Sequence, residues 1–181
     1  MLVKEILAQL EANPAFVSWH KKNPDACLAH LFCMVENDVT TWQVGYYNKK
    51  TDTITSFDII DSDIKVYPPE EVFKKKGTGV KELKQENIKI DLDDALRVAR
   101  ELQQQKYPAE TPIKEIVVLQ TLAAEQVYNI TYVTKGFKTL NIKVSSETGK
   151  IVDQQLAPIF SFDKGGPEEK VESEKKKSKK K

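Results

Sequence analysis

The sequence predicts an α+β fold of two units, each a helix packed on an antiparallel β-meander, followed by a disordered Lys-rich C-terminal tail. Three observations predict it. Leu92, Ala95, Leu96, Ala99 and Leu102 recur at helical spacing and make one apolar stripe. "VYNITYVT" and "FKTLNIKVS" alternate apolar and polar residues with the period of two that a half-buried strand requires. Residues 28–57 can be laid over residues 127–155, so the helix-and-meander pattern occurs twice.

In the first unit, Leu2, Ile6, Leu7 and Leu10 follow helical spacing. Asn13-Pro14 interrupts, because a residue before proline avoids the helical region. "AFVSWHKK" resumes as a short helical turn before Asn23-Pro24. "LAHLFCMVE" reads as a strand with Leu31, Cys33 and Val35 on one side and Phe32 and Met34 on the other. "TTWQVGYY", with Trp42, Val44 and Tyr46 together, and "ITSFDII" are the next two strands.

Residues 67–87 read as a connector. Pro68-Pro69, the lysines 74–76 and Gly77-Thr78-Gly79 weaken regular structure there, apart from a short helix expected at 69–75 with Pro69 at its first position. In the second unit Asp91 is placed to cap the long helix, with Asp94 as capping partner, and Tyr107-Pro108 ends it. "IKEIVVLQTLAA", "VYNITYVT", "FKTLNIKVS" and a short "IVDQQL" follow as strands, with a turn at Gly149. The organisation predicted is thus 1–66, a connector 67–87, 88–162, and a tail 163–181.

In the overlay of the two phrases Ile130 falls on Leu31, Tyr132 on Cys33, Leu140 on Trp42, Ile142 on Val44, Val144 on Tyr46 and Ile151 on Ile54. "IKEIVVLQTL" is then an extra strand of the second unit. A unit of this size has a marginal core alone, so two units packed face to face or joined in one sheet would bury Trp42 and Tyr46, or Tyr128 and Tyr132, between them.

The elements "IDLDDALRVAREL", "EQVYNITYVTKG" and "KTLNIKVSSETGKIVDQQ" resemble a PepSY domain over about residues 88–156, with a degenerate copy at about 2–60. Asp52 stands in the first copy where the glycine would be. The resemblance implies a cystatin-like helix on an antiparallel sheet, and a non-enzymatic role as an inhibitory or binding module for a protein or peptide. Its residues show no signal-like run, membrane span or peptidase motif, so a setting other than that family's usual one is expected.

Composition fits a soluble protein, 40% hydrophobic and 30% charged. The net charge of +1 hides a polarity: residues 164–181 hold eight Lys and four Glu, so the tail carries +4 and the rest −3. No stretch approaches the ~20 apolar residues of a spanning helix, and Lys4, Glu5 and Glu11 break any signal-like run, so a cytoplasmic location is expected.

Chemistry-bearing patterns are sparse. His20, His30, Cys27 and Cys33 fall within fourteen positions but lack the paired spacing of zinc ligands, and structural or solvated roles are favoured. His30 and Cys33 point to opposite sides of a strand, which excludes them as base and nucleophile. "KKKGTGVK" lacks phosphate-loop spacing. No cofactor motif and no catalytic constellation is present, so no enzyme is expected, a small hydrolase or metal enzyme being the contrary case. The most pointed feature is the lysine cluster Lys175, Lys176, Lys177, Lys179, Lys180 and Lys181. It suits anion binding: nucleic acid or a ribosome by counterion release, an anionic membrane surface, or plain solvation.

Overall fold

The computed structural model describes residues 2–36, 39–60, 63–72, 79–123 and 125–159. Three helices, α1 (Val3–Ala12), α2 (Pro14–Lys22) and α3 (Leu92–Lys106), lie with nine strands among those residues. The strands are β1 (Cys27–Glu36), β2 (Val39–Asn48), β3 (Thr53–Ile60), β4 (Asp63–Val66), β5 (Glu70–Glu71), β6 (Pro112–Leu122), β7 (Glu125–Thr134), β8 (Lys138–Ser145) and β9 (Ile151–Pro158). All belong to one antiparallel sheet of order β4-β3-β2-β1-β6-β7-β8-β9, with β5 beside β3.

The sheet's two sides follow from its register. Phe57, Val44, Leu31, Leu119, Tyr128 and Val144 are successive cross-strand partners and form one unbroken row of buried side chains. Ile59, Trp42, Cys33, Val117, Ile130 and Ile142 form the next. The helices cover these rows. Trp42 and Tyr46, and Tyr128 and Tyr132, are therefore buried within a single helix-sheet core, not between two separately packed units, because β1 and β6 hydrogen-bond directly.

Local chemistry sets the helix bounds. The Leu2 N–H donates to the Glu5 carboxylate, and Val3, not Leu2, completes the buried stripe with Ile6, Leu7 and Leu10. The short turn expected after Asn13 is a full helix: Pro14 occupies its first turn and the Asn13 side chain accepts from Ala15 N–H at 2.9 Å. The α3 cap differs from expectation. Asp91 is the N-cap residue but its side chain makes no cap hydrogen bond, and Asp94 instead pairs with Arg97. The Tyr128 hydroxyl ties the lead-in of α3 to the sheet, donating to the Ile90 carbonyl at 2.7 Å.

Two stretches that follow β3 also differ from expectation, one in the connector and one just before it. Glu70–Glu71 is a two-residue strand on β3, so the helix expected at 69–75 is absent over its described part. Asp63–Val66 forms β4, because Ile64 pairs with Ile59 and packs against the core.

A polar clamp joins the end of α3 to the β7–β8 hairpin. Gln103 donates to the Tyr107 and Glu110 carbonyls, and the Glu110 carboxylate accepts from Lys138 at 2.5 Å and Thr134 at 3.1 Å. The Lys138 ammonium hydrogen bond leads in holding the Glu110 carboxyl below its usual range, helped by Thr134 and opposed by desolvation. Its folded value is below its unfolded one, so this contribution to stability is complete above the unfolded value and is lost as pH falls through the folded value. The urea midpoint of Glu110→Gln should therefore fall less than that of the native chain as pH is lowered below about 4.5. Parallel acid limbs would contradict the assignment.

Candidate functional site

Among the described residues no helix covers the opposite side of the sheet. At its centre Phe32 faces Val118 and Met34 faces Ile116 across the β1–β6 pair, all four only partly buried. Polar ladders frame this strip. On one flank Gln43 donates to Asp58 at 2.8 Å, Tyr67 donates to the other Asp58 oxygen at 2.6 Å, and Lys65 lies over the Tyr67 ring. On the other flank Asn141 donates to Asn129 at 2.7 Å and to Thr131 at 2.8 Å, and Lys143 pairs with Asp153 beyond them. An apolar centre without charge inside a satisfied polar rim has the anatomy of a protein interface.

One end of the strip deepens into a cavity of about 930 Å³. His30, Gln43, Ser56 and Gln120 furnish its sheet side, with Glu70, Glu71 and Lys81 from the connector and Val72, Val80 and Leu122 as apolar wall. The connector is anchored there by backbone groups that the sequence pattern does not reveal. Leu83 N–H donates to the Leu28 carbonyl, Thr121 donates to the Glu82 carbonyl, and the Gln126 amide bonds both the N–H and the C=O of Lys84. The clue in the sequence is slight: Leu83 is a lone apolar residue in a charged run, and it is buried.

Gly45 is the reason His30 sits in the cavity. The two residues are cross-strand partners, and the imidazole occupies the space where a side chain at 45 would stand. Burial pushes the His30 imidazole below its ordinary value, which favours the neutral ring at pH 7.

The four residues weighed as a metal set do not converge. His30 lies on the helix-free side, whereas Cys33 points into the helix-covered core. Burial, reinforced by Glu115, pushes the Cys33 thiol up to about 12, so it is a packing group. His20 stacks on Phe16 with ring centres 5.5 Å apart. Among the described residues no three His, Cys, Asp or Glu side chains gather in a way that could hold a metal, and no helix is long and apolar enough to cross a membrane. Lys175, Lys176, Lys177, Lys179, Lys180 and Lys181 lie outside the described residues.

No family model and no curated protein matches the chain. Its fold is similar to the crystal structure of a protein from Clostridium difficile 630 titled a "putative lipoprotein", with a TM-score of 0.54 and 18% identity over 78% of this chain and 90% of that one. That likeness supports the α+β antiparallel architecture and, at such identity, the fold alone.

Proposed function

We propose that this chain is a non-catalytic, PepSY-like binding module that engages a protein or peptide partner on the helix-free side of its sheet. The observation that carries the reading is the strip of Phe32, Met34, Ile116 and Val118, held half-buried in a hydrogen-bonded polar frame and continuous with the cavity. Side chains left this way gain apolar burial when a partner covers them. The cavity receives one projecting group of that partner, with amide and imidazole groups below and Glu70 and Glu71 on its wall.

The reading extends to a tandem architecture. The sheet order is symmetric about the β1–β6 pair, four main strands to each side. Trp42 then falls on Tyr128, Val44 on Ile130 and Tyr46 on Tyr132, each 86 positions apart and each buried on the helix-covered side. The same offset carries Phe32 onto Val118, which are direct cross-strand partners, as a two-fold relation between halves requires. Both hairpin turns end on a residue with positive φ, Asp52 at 56° and Phe137 at 55°. This register is one strand away from the overlay of residues 28–57 on 127–155, and "IKEIVVLQTL" becomes the counterpart of β1, not an added strand.

A cytoplasmic location remains part of the proposal, supported by the unbridged thiols of Cys27 and Cys33. The structural neighbour's title names a lipoprotein, and fractionation of native cells distinguishes the two settings.

The test compares captures from native cells by the full chain, by Phe32→Glu and by a chain lacking residues 164–181. Phe32→Glu places a carboxylate at the centre of the strip, leaves the core rows intact, and should weaken capture of a specific protein by about tenfold or more. The tail deletion should keep that protein. Its +4 charge favours a second reading, in which it supplies nucleic-acid or ribosome affinity. Binding that is salt-dependent, lost with the tail and indifferent to Phe32→Glu would replace the first reading by the second.

A further inference from the structure

We infer that one corner of the sheet docks on an anionic membrane surface, with Phe137 as its apolar tip. The corner is where the lead-in to β6, the β7–β8 turn and the end of β9 meet. Lys135 N–H donates to the Thr111 carbonyl, Ile159 N–H donates to the Phe137 carbonyl, and Lys138 is the cross-strand partner of Pro158. Three large apolar side chains stand out of it: Phe137 is 70% exposed, Ile113 61% and Ile159 41%. Single exposed apolar groups are ordinary, but a cluster of this kind marks a contact surface.

The turn runs against its own backbone preference. Phe137 has a φ of 55°, where a bulky residue is an outlier, while Gly136 beside it, free to adopt that conformation, does not. The corresponding turn of the first half holds Asp52 at 56°, and there the local chemistry accounts for it. Aspartate tolerates this region, and its carboxylate accepts from the Tyr47 hydroxyl at 2.6 Å. The Phe137 ring instead stands in water. Strain kept at an exposed position points to a use for the side chain.

Charge selects the membrane. Residues 106–114, 134–138 and 158–159 contain Lys106, Lys114, Lys135 and Lys138 but a single carboxylate, Glu110, which Lys138 neutralises. The chain continues from Ile159 at this corner into residues 164–181 with their charge of +4. Asp63, at the same end of the sheet, belongs to the far edge at β4. Cations around apolar tips match an anionic leaflet, whose headgroups take the lysines and whose acyl chains take the side chains between them. Nucleic acid fits less well, because two of the three apolar groups are isoleucines and offer no face for a base to stack on. The contact is shallow, so binding is reversible and salt-dependent.

The test is co-sedimentation of the full chain with vesicles of phosphatidylglycerol and phosphatidylcholine in equal parts, or of phosphatidylcholine alone. The chain should bind the anionic vesicles, leave them as salt is raised, and ignore the neutral ones. Phe137→Asn should weaken binding by about tenfold, with a urea midpoint equal or higher, since asparagine tolerates the backbone at 137. Phe137→Trp should keep binding, and its emission should shift to the blue when anionic vesicles are added. In a chain lacking residues 164–181, Phe137→Asn should still weaken binding by a similar factor. Binding that Phe137→Asn leaves unchanged, or that is equal on neutral vesicles, would overturn the docking. So would an RNA oligonucleotide bound through Phe137 by a chain that ignores vesicles. The helix-free strip is a separate surface, so this failure would leave the partner reading standing.

Discussion

Phe57→Ala is expected to lower stability by about 3–5 kcal/mol, the range for removing a buried phenyl ring. Phe57 is fully buried at the point where α2 meets the sheet. Trp19 meets its ring at 5.0 Å and 77°, Phe16 at 5.3 Å and 71°, and Tyr46 at 6.0 Å and 89°. These are edge-to-face contacts, each adding to plain burial. The loss would be a large share of the ~5–15 kcal/mol that holds a domain of this kind folded. The check is a urea titration in which the midpoint falls and the slope stays constant. Ile60→Ala, half exposed on the same strand, should stay within about 0.5 kcal/mol and serves as control. Equal effects at 57 and 60 would mean that α2 does not dock on β2 and β3 as described.

Gly45→Val is expected to cost about 1–3 kcal/mol, the usual range for overpacking, and to drive His30 out of the cavity. A Cβ at 45 would stand 2.2 Å from the imidazole Cε1 and 2.7 Å from both ring nitrogens. Valine suits a strand better than glycine does, so without this close approach the substitution should stabilise. The sign of the effect therefore decides the point. Adding His30→Ala empties the space, and the double variant should recover most of the loss, a coupling of about 1 kcal/mol or more in the cycle. Additive effects would show that the ring does not rest on Gly45.

Strand side assignments were legible because a period of two is hard to mistake. Leu31 with Cys33, Trp42 with Val44, Tyr128 with Ile130 and Leu140 with Ile142 all lie where alternation puts them. How the two meanders join was not legible. β1 and β6 are about eighty residues apart in the chain, and Phe32, Met34, Ile116 and Val118 become a single strip only through that pairing. Composition alone reads Phe32 and Met34 as the far side of a buried strand. The cavity was hidden for a similar reason. Its connector wall is fixed by backbone hydrogen bonds to Leu28, Thr121 and Gln126, which leave little trace in residue type. The Asp91 cap shows the converse. The residue pattern suits a capping box, yet Arg97 offers Asp94 a charged partner one turn away.

The most direct test of the binding face is a photo-crosslinking side chain placed at Met34 or at Glu101 in the full chain within native cells. Met34 lies on the helix-free strip and Glu101 on the exposed outer surface of α3. The account predicts a discrete adduct with one other protein from position 34 and none from position 101. No adduct at 34, or the same adducts from both positions, would contradict it.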